Sequence, residues 1–131
     1  VRSRRQRQMC IRDRDNSHRL WDMRMLRPLQ RFKGHQNTSK NFIRCTFAHP
    51  SLIVSGSEDG LVYMWGQESS LALQTLKGHG TDSHPAAATV GGRKQVVVYS
   101  AAWNKVQGLL ASCADDGTVR LWDWTPPHDA P

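Results

Sequence analysis

The sequence predicts an all-β fold made of about two and a half copies of one unit of short antiparallel strands. Three observations predict this fold. One residue pattern occurs twice in full and once in part, and the spacing inside the pattern is constant. The apolar runs are short and end at turn residues, which is typical of strands. No sustained apolar stripe follows the period of a helix, so no substantial helix is expected.

The repeated pattern begins with a Gly-His pair and ends at a tryptophan that lies six residues after an aspartate. The two full copies span 34–65 and 78–122, and the partial copy spans 15–21. In each full copy a serine stands four residues before the aspartate. The distance from the tryptophan of one copy to the next Gly-His pair is thirteen residues in both cases. Such regularity predicts a stack of equivalent units.

The strands of these units are predicted from their β-branched and aromatic residues. In the first full copy, 53–55 and 61–65 flank the tight turn Glu58-Asp59-Gly60, which predicts a hairpin. Further strand-like runs occur at 42–47, 96–99 and 109–111. Each run is too short for a typical helix, so strands are favoured.

The repeat divides the chain into a leader, three units and a tail. The leader covers 1–14, the partial unit 15–33, the full unit 34–77, the last unit 78–125 and the tail 126–131. The last unit is longer, because 24 residues separate His79 from Trp103 whereas 12 separate His35 from Phe47. We place the excess in an insertion at 80–94, which is small, polar and punctuated by Gly and Pro.

The pattern resembles the WD-repeat family of β-propellers. The Gly-His pairs at 34–35 and 78–79 and the Trp-Asp pairs at 21–22 and 122–123 carry the resemblance. It implies a partial β-propeller of about two and a half four-stranded blades. The prolines at 126–127 cannot continue a strand ladder. We therefore expect the C-terminal part of a larger propeller.

The same resemblance implies two internal hydrogen-bonded tetrads, in each of which a tryptophan, a serine, a histidine and an aspartate tie the strands of a blade together. The alternative is a Ser-His-Asp hydrolase triad. A catalytic site needs one exposed nucleophile, whereas this set occurs once per full unit, so we favour the structural role and no enzyme activity. The predicted tetrads are His35, Ser55, Asp59 and Trp65, and His79, Ser112, Asp116 and Trp122.

Nothing in the sequence predicts a metal or a cofactor. The cysteines, Cys10, Cys45 and Cys113, form no Cys-x-x-Cys pair, and the six histidines lack ligand spacing. We expect Cys45 and Cys113 to be small buried side chains. Scattered cysteines suit a reducing compartment, so intracellular residence, in the cytoplasm or nucleus, is expected. No apolar segment is long enough to cross a membrane.

The net charge of +7 is concentrated near the start of the chain. Residues 1–34 hold eleven Lys or Arg and three Asp, whereas 35–131 hold seven Lys or Arg and eight acidic residues. The leader 1–14 has no strand pattern, and 7–14 looks like translated adapter sequence, which favours a non-native leader. The alternative is a disordered basic arm that touches nucleic acid.

The expected function is a non-catalytic scaffold for protein–protein interaction, within a larger complex. One alternative is a substrate receptor of a cullin-RING ubiquitin ligase, because Trp21-Asp22-Met23-Arg24 fits the Trp-Asp-x-Arg signature of such receptors. The resemblance implies that Arg24 would contact the ligase adaptor. A second alternative is a nucleic-acid-associated protein, which the charge outside the leader does not favour. The insertion at 80–94 is either a partner-binding loop or an excursion without a role.

Overall fold

A computed structural model of the chain describes residues 8–12, 16–37, 42–49, 51–79 and 96–123. Within these ranges the regular elements are ten β-strands, with no helix. The prediction of an all-β fold is confirmed. The insertion at 80–94 and the tail at 126–131 lie outside the described residues.

The strands form three antiparallel sheets, which follow one another along the chain. The first sheet has the order β1-β2-β3 and contains β1 (Gln8–Arg12), β2 (His18–Asp22) and β3 (Arg27–Phe32). The middle sheet has the order β4-β5-β6-β7 and contains β4 (Cys45–Phe47), β5 (Leu52–Ser55), β6 (Leu61–Gly66) and β7 (Gln74–Lys77). The last sheet has the order β10-β9-β8 and contains β8 (Val98–Asn104), β9 (Leu109–Ala114) and β10 (Val119–Asp123).

Both faces of the middle sheet are covered, because consecutive side chains of a strand point to opposite faces. On β5, Ile53 packs into a core that also contains Leu20 and Phe32 of the first sheet. Its neighbour Val54 packs into a second core with Val98 of the last sheet. The three sheets therefore stack face to face, as expected for adjacent blades of a propeller.

A close backbone approach fixes the contact between the middle and last sheets. The backbone N–H of Val98 donates to the carbonyl of Ser57 at 2.9 Å. A Cβ atom at Gly56 would collide with the carbonyl oxygen of Val98. Only glycine allows this approach, so Gly56 is explained by the packing of the two backbones.

The expectation that 1–14 lacks strand structure is wrong for Gln8–Arg12. This segment forms β1 and pairs with β2, with Cys10 opposite Leu20 and Ile11 opposite Arg19. The pairing satisfies backbone groups at the edge of β2, and Cys10 packs beside the first core. Residues 1–7 and 13–14 lie outside the described ranges, and a non-native origin of the leader stays a prediction.

Candidate functional site

The structure brings the second predicted tetrad together at one side of the last sheet. The indole N–H of Trp122 donates to Ser112 Oγ at 2.8 Å, and Ser112 Oγ lies 2.7 Å from His79 Nε2. His79 Nδ1 lies 3.3 Å from Asp116 Oδ2 and 3.1 Å from Thr118 Oγ1. Because the oxygen of the Ser112 hydroxyl accepts the indole N–H, the hydroxyl can donate its own proton to Nε2 of His79. The tautomer protonated at Nδ1 then donates towards Asp116.

This geometry opposes a hydrolase triad at Ser112. The Ser112 side chain is only 1% exposed, and its oxygen already accepts a hydrogen bond from Trp122. A nucleophilic serine must reach a substrate and needs nearby donors for an oxyanion. The chain of bonds instead joins β9, β10, the turn between them and the segment at His79, which stabilises the sheet.

The first predicted tetrad is not formed, so that part of the prediction is wrong. Ser55 Oγ lies 2.7 Å from Nε2 of His18, not of His35. The indole N–H of Trp65 donates to the carbonyl of Lys33 at 2.9 Å rather than to the serine. The reason is that His18, the first residue of β2, faces the middle sheet and occupies the place beside Ser55.

Asp59, the fourth member of that set, is exposed and bonded elsewhere. Its Oδ2 accepts the phenolic O–H of Tyr63 at 2.6 Å, and its Oδ1 accepts the backbone N–H of Leu61 at 3.1 Å. The aspartate therefore holds its own turn and the ring of Tyr63. Burial and this hydrogen bond raise the pKa of Tyr63 to about 12.

His35 lies in a buried aromatic cluster between the first and middle sheets. Its ring stacks on His18 with centroids 4.4 Å apart, and it meets Trp65 edge-on at 5.1 Å. Neither ring nitrogen of His35 has a hydrogen-bond partner among the described residues. Burial lowers the pKa of His35 to about 4, an effect that the charge of Asp59 partly opposes. The ring is therefore neutral in the folded protein at pH 7.

This lowered pKa predicts that acid destabilises the fold. Below a pH of about 6.5 the unfolded chain takes up a proton at His35 that the folded chain resists. The free energy of unfolding should therefore fall as pH drops from about 6.5 towards 4, by at most about 1.4 kcal/mol per pH unit from this residue. Denaturant unfolding at several pH values measures the slope. His35→Leu should flatten it, and an unchanged slope in that variant would refute the assignment.

The cysteines differ from expectation. Cys10 of β1 and Cys45 of β4 form a disulfide between the first and middle sheets, so Cys45 is not simply a small buried side chain. Cys113 is exposed, because its neighbour Ser112 points inward and alternate residues of a strand face opposite sides. The expectation of buried side chains is therefore wrong for Cys113.

The sequence also missed one cluster of ligand-type atoms. Cys10, His18 and Cys45 bring their ligand atoms within 4.8 Å of one another. Metal binding requires thiolates, and both sulfurs are here joined to each other. The arrangement therefore acts as a covalent link between sheets.

Arg24 lies in the turn between β2 and β3, where its side chain is exposed. Asp22 Oδ1 accepts the backbone N–H groups of Arg24 at 2.9 Å and of Met25 at 3.4 Å, which fixes the turn. The turn borders an open groove of about 620 Å³ between the first and middle sheets. The groove is lined by Gln8, Leu20, Asp22, Arg24, Met25, Leu29, Gln67 and Glu68.

Comparison with known families agrees with this architecture. The family described as "WD domain, G-beta repeat" matches residues 26–66 and 86–123. The chain belongs to the WD-repeat family. The resemblance seen in the sequence is thereby confirmed, and the stacked sheets are parts of propeller blades. Among the described residues no helix is both long and apolar enough to cross a membrane.

Several WD-repeat proteins are similar to this chain over most of its length. A "WD repeat-containing protein WDS homolog" from Arabidopsis thaliana is 36% identical, over 83% of this chain and 18% of the relative. A "WD repeat-containing protein 26 homolog" from Drosophila melanogaster is 32% identical, over 82% and 15% respectively. The chain thus spans less than a fifth of these relatives. The crystal structure of the computationally designed Ika8 protein matches 90% of the chain with a TM-score of 0.63 and 22% identity, which supports the fold alone.

Proposed function

We propose that this chain is part of a non-catalytic scaffold on which other proteins assemble. WD-repeat proteins generally serve as protein-interaction scaffolds, and the family is typically non-catalytic. The observation that carries the proposal is the buried tetrad at Ser112. The residues that could have formed a hydrolase site there are committed to internal hydrogen bonds. The stacked sheets form a rigid support, and the exposed turns at their edges are the segments that can bind partners.

A scaffold should co-purify with defined partners. Full-length protein carrying an affinity tag would be cross-linked in cells, and its partners identified by mass spectrometry. We place this assembly inside the cell, in the cytoplasm or nucleus, as a part of the same proposal. The Cys10–Cys45 disulfide opposes this placement, because disulfides are rare in reducing compartments. Recovery of the tagged protein alone, without any macromolecular partner, would refute the scaffold function.

We further propose, as a narrower function, that Arg24 contacts the adaptor of a cullin-RING ubiquitin ligase. The specific support is geometric. Arg24 is exposed on a fixed turn, and its guanidinium makes no hydrogen bond or ion pair with any residue that the structure describes. Arginine is enriched at the centres of protein interfaces, because its planar group binds carboxylates and carbonyls at several points.

The Arg24→Ala variant of the full-length protein is expected to lose co-purification of the ligase adaptor while its folding is unchanged. The loss would follow from removing the one cation at the tip of the turn, and exposure explains the intact fold. Arg44→Ala is the matched control, since Arg44 is also exposed but lies just before β4 of the middle sheet. Quantitative mass spectrometry of the adaptor measures the effect. Adaptor recovery that is equal in both variants and the parent protein would remove the narrower function.

A further inference from the structure

We propose that the turn Met23–Arg24–Met25–Leu26, with the groove beside it, docks an apolar and acidic segment of a partner protein. This inference rests on the proposed scaffold function and names the surface and the chemistry of the partner. Three features of the turn support it: its apolar side chains, its backbone conformation and its charge.

The turn exposes three large apolar side chains in four residues. Met23, Met25 and Leu26 are exposed, and Leu26 is 79% exposed. Exposed turns normally carry Gly, Asn, Asp, Ser or Pro, which suit both the backbone and water. The turn that follows β6 in the middle sheet is polar, with Gln67 and Glu68 between Gly66 and Ser69. Methionine adapts to irregular apolar surfaces and is enriched at interfaces.

The backbone of the turn is strained at Leu26. Its φ is 51°, in the left-handed region that a side chain with a Cβ rarely adopts. The turn between β8 and β9 shows the usual solution, because its last residue is Gly108 with a φ of 66°. A leucine here raises the energy of the turn and adds apolar surface to solvent. Strain of this kind is commonly found at binding sites, where a ligand contact compensates for it.

The charge around the turn favours a partner with carboxylates. Two exposed arginines adjoin the turn, Arg24 within it and Arg27 at the start of β3, against one acidic residue of the same hairpin, Asp22. One carboxylate oxygen of Asp22, Oδ1, already accepts two backbone N–H groups. Glu68 lines the opposite wall of the groove and opposes an acidic partner on that side. A bound segment should therefore place its carboxylates towards Arg24 and its apolar side chains over Met25 and Leu26.

A defined peptide tests this chemistry. The probe is a fluorescein-labelled amphipathic peptide of about 18 residues, or five helical turns, with leucines on one face and glutamates beside them. A matched peptide replaces every glutamate with lysine. Fluorescence anisotropy with the full-length protein should show about tenfold tighter binding of the glutamate peptide. Arg24→Gln should weaken that binding about tenfold, and Glu68→Lys should strengthen it several-fold.

Leu26→Asn separates docking from a structural role. Asparagine tolerates the left-handed region, so the melting temperature should stay equal or rise by about 2–5 °C. The same variant should weaken binding of the glutamate peptide about fivefold, because an apolar contact is lost. Val106→Asn is the control, since Val106 is 94% exposed in the turn after β8 and should leave peptide affinity unchanged.

Three outcomes would overturn the proposal. They are equal affinity for the glutamate and lysine peptides, peptide affinity that Leu26→Asn leaves unchanged, and binding of a single-stranded RNA oligonucleotide at this turn instead of either peptide. If the glutamate peptide fails to bind while the full-length protein still captures cross-linked partners, the docking site is wrong and the scaffold function stands. If both fail, both are refuted.

Discussion

Replacing Trp65 with alanine is expected to lower the free energy of unfolding by about 3–5 kcal/mol. Trp65 is fully buried between the first and middle sheets. Its ring lies 5.7 Å from Phe32 and 5.8 Å from Tyr63, measured between centroids. The substitution leaves a large cavity and removes the partner of the Lys33 carbonyl. Urea denaturation measures the loss, which is a large fraction of the stability of an ordinary domain.

Two variants make the result specific to packing. Trp65→Phe keeps an aromatic ring but removes the indole N–H, so it should cost less than Trp65→Ala. Leu71→Ala removes an apolar side chain that is mostly exposed, and it should change stability by no more than about 0.5 kcal/mol. If Trp65→Ala were no more damaging than Leu71→Ala, the two sheets would not pack through this residue.

The second large effect is expected from Ser112→Ala, at about 2–4 kcal/mol of destabilisation. The hydroxyl of Ser112 serves both the indole N–H of Trp122 and Nε2 of His79. Removing it leaves two polar groups without that partner in a largely buried site, and unsatisfied buried groups are costly. Equilibrium unfolding in urea measures the change.

Ser51→Ala provides the comparison, because Ser51 is exposed and contributes its backbone carbonyl, not its side chain, to a hydrogen bond with Gln67. Its substitution should change stability by no more than about 0.5 kcal/mol. Equal stability of the Ser112 and Ser51 variants would show that the tetrad does not hold the last sheet together.

Spacing in the sequence was sufficient to predict the tetrad at His79, Ser112, Asp116 and Trp122. It was insufficient at Ser55, because two histidines, His18 and His35, come near the same place. The hydroxyl can bond only one of them in this arrangement, and the choice depends on how β2 packs against the middle sheet. Packing between sheets is not encoded in the spacing of a single repeat.

The leader and the cysteines show a similar limit. The five residues of β1 show too little alternation to predict a strand. They form one because their backbone pairs with that of β2. The link between Cys10 and Cys45 joins residues 35 positions apart on neighbouring sheets. Exposure of Cys113, by contrast, was predictable. An inward Ser112 on a strand requires an outward neighbour.

The sequence identified Arg24 as a candidate contact, but not the surface around it. The apolar character of Met23, Met25 and Leu26 was visible in the sequence. Their exposure, the left-handed backbone at Leu26 and the adjoining groove depend on the fold. These features are the basis for the docking site that we propose.

Two double-mutant cycles, measured by urea unfolding, test most directly whether the repeated polar residues stabilise the sheets through hydrogen bonds to one another. One cycle combines His79→Ala with Ser112→Ala, and the other combines His35→Ala with Ser55→Ala. We predict a coupling energy of at least about 1 kcal/mol for the first pair and less than about 0.5 kcal/mol for the second. No coupling between His79 and Ser112, or equal coupling in both pairs, would contradict the account.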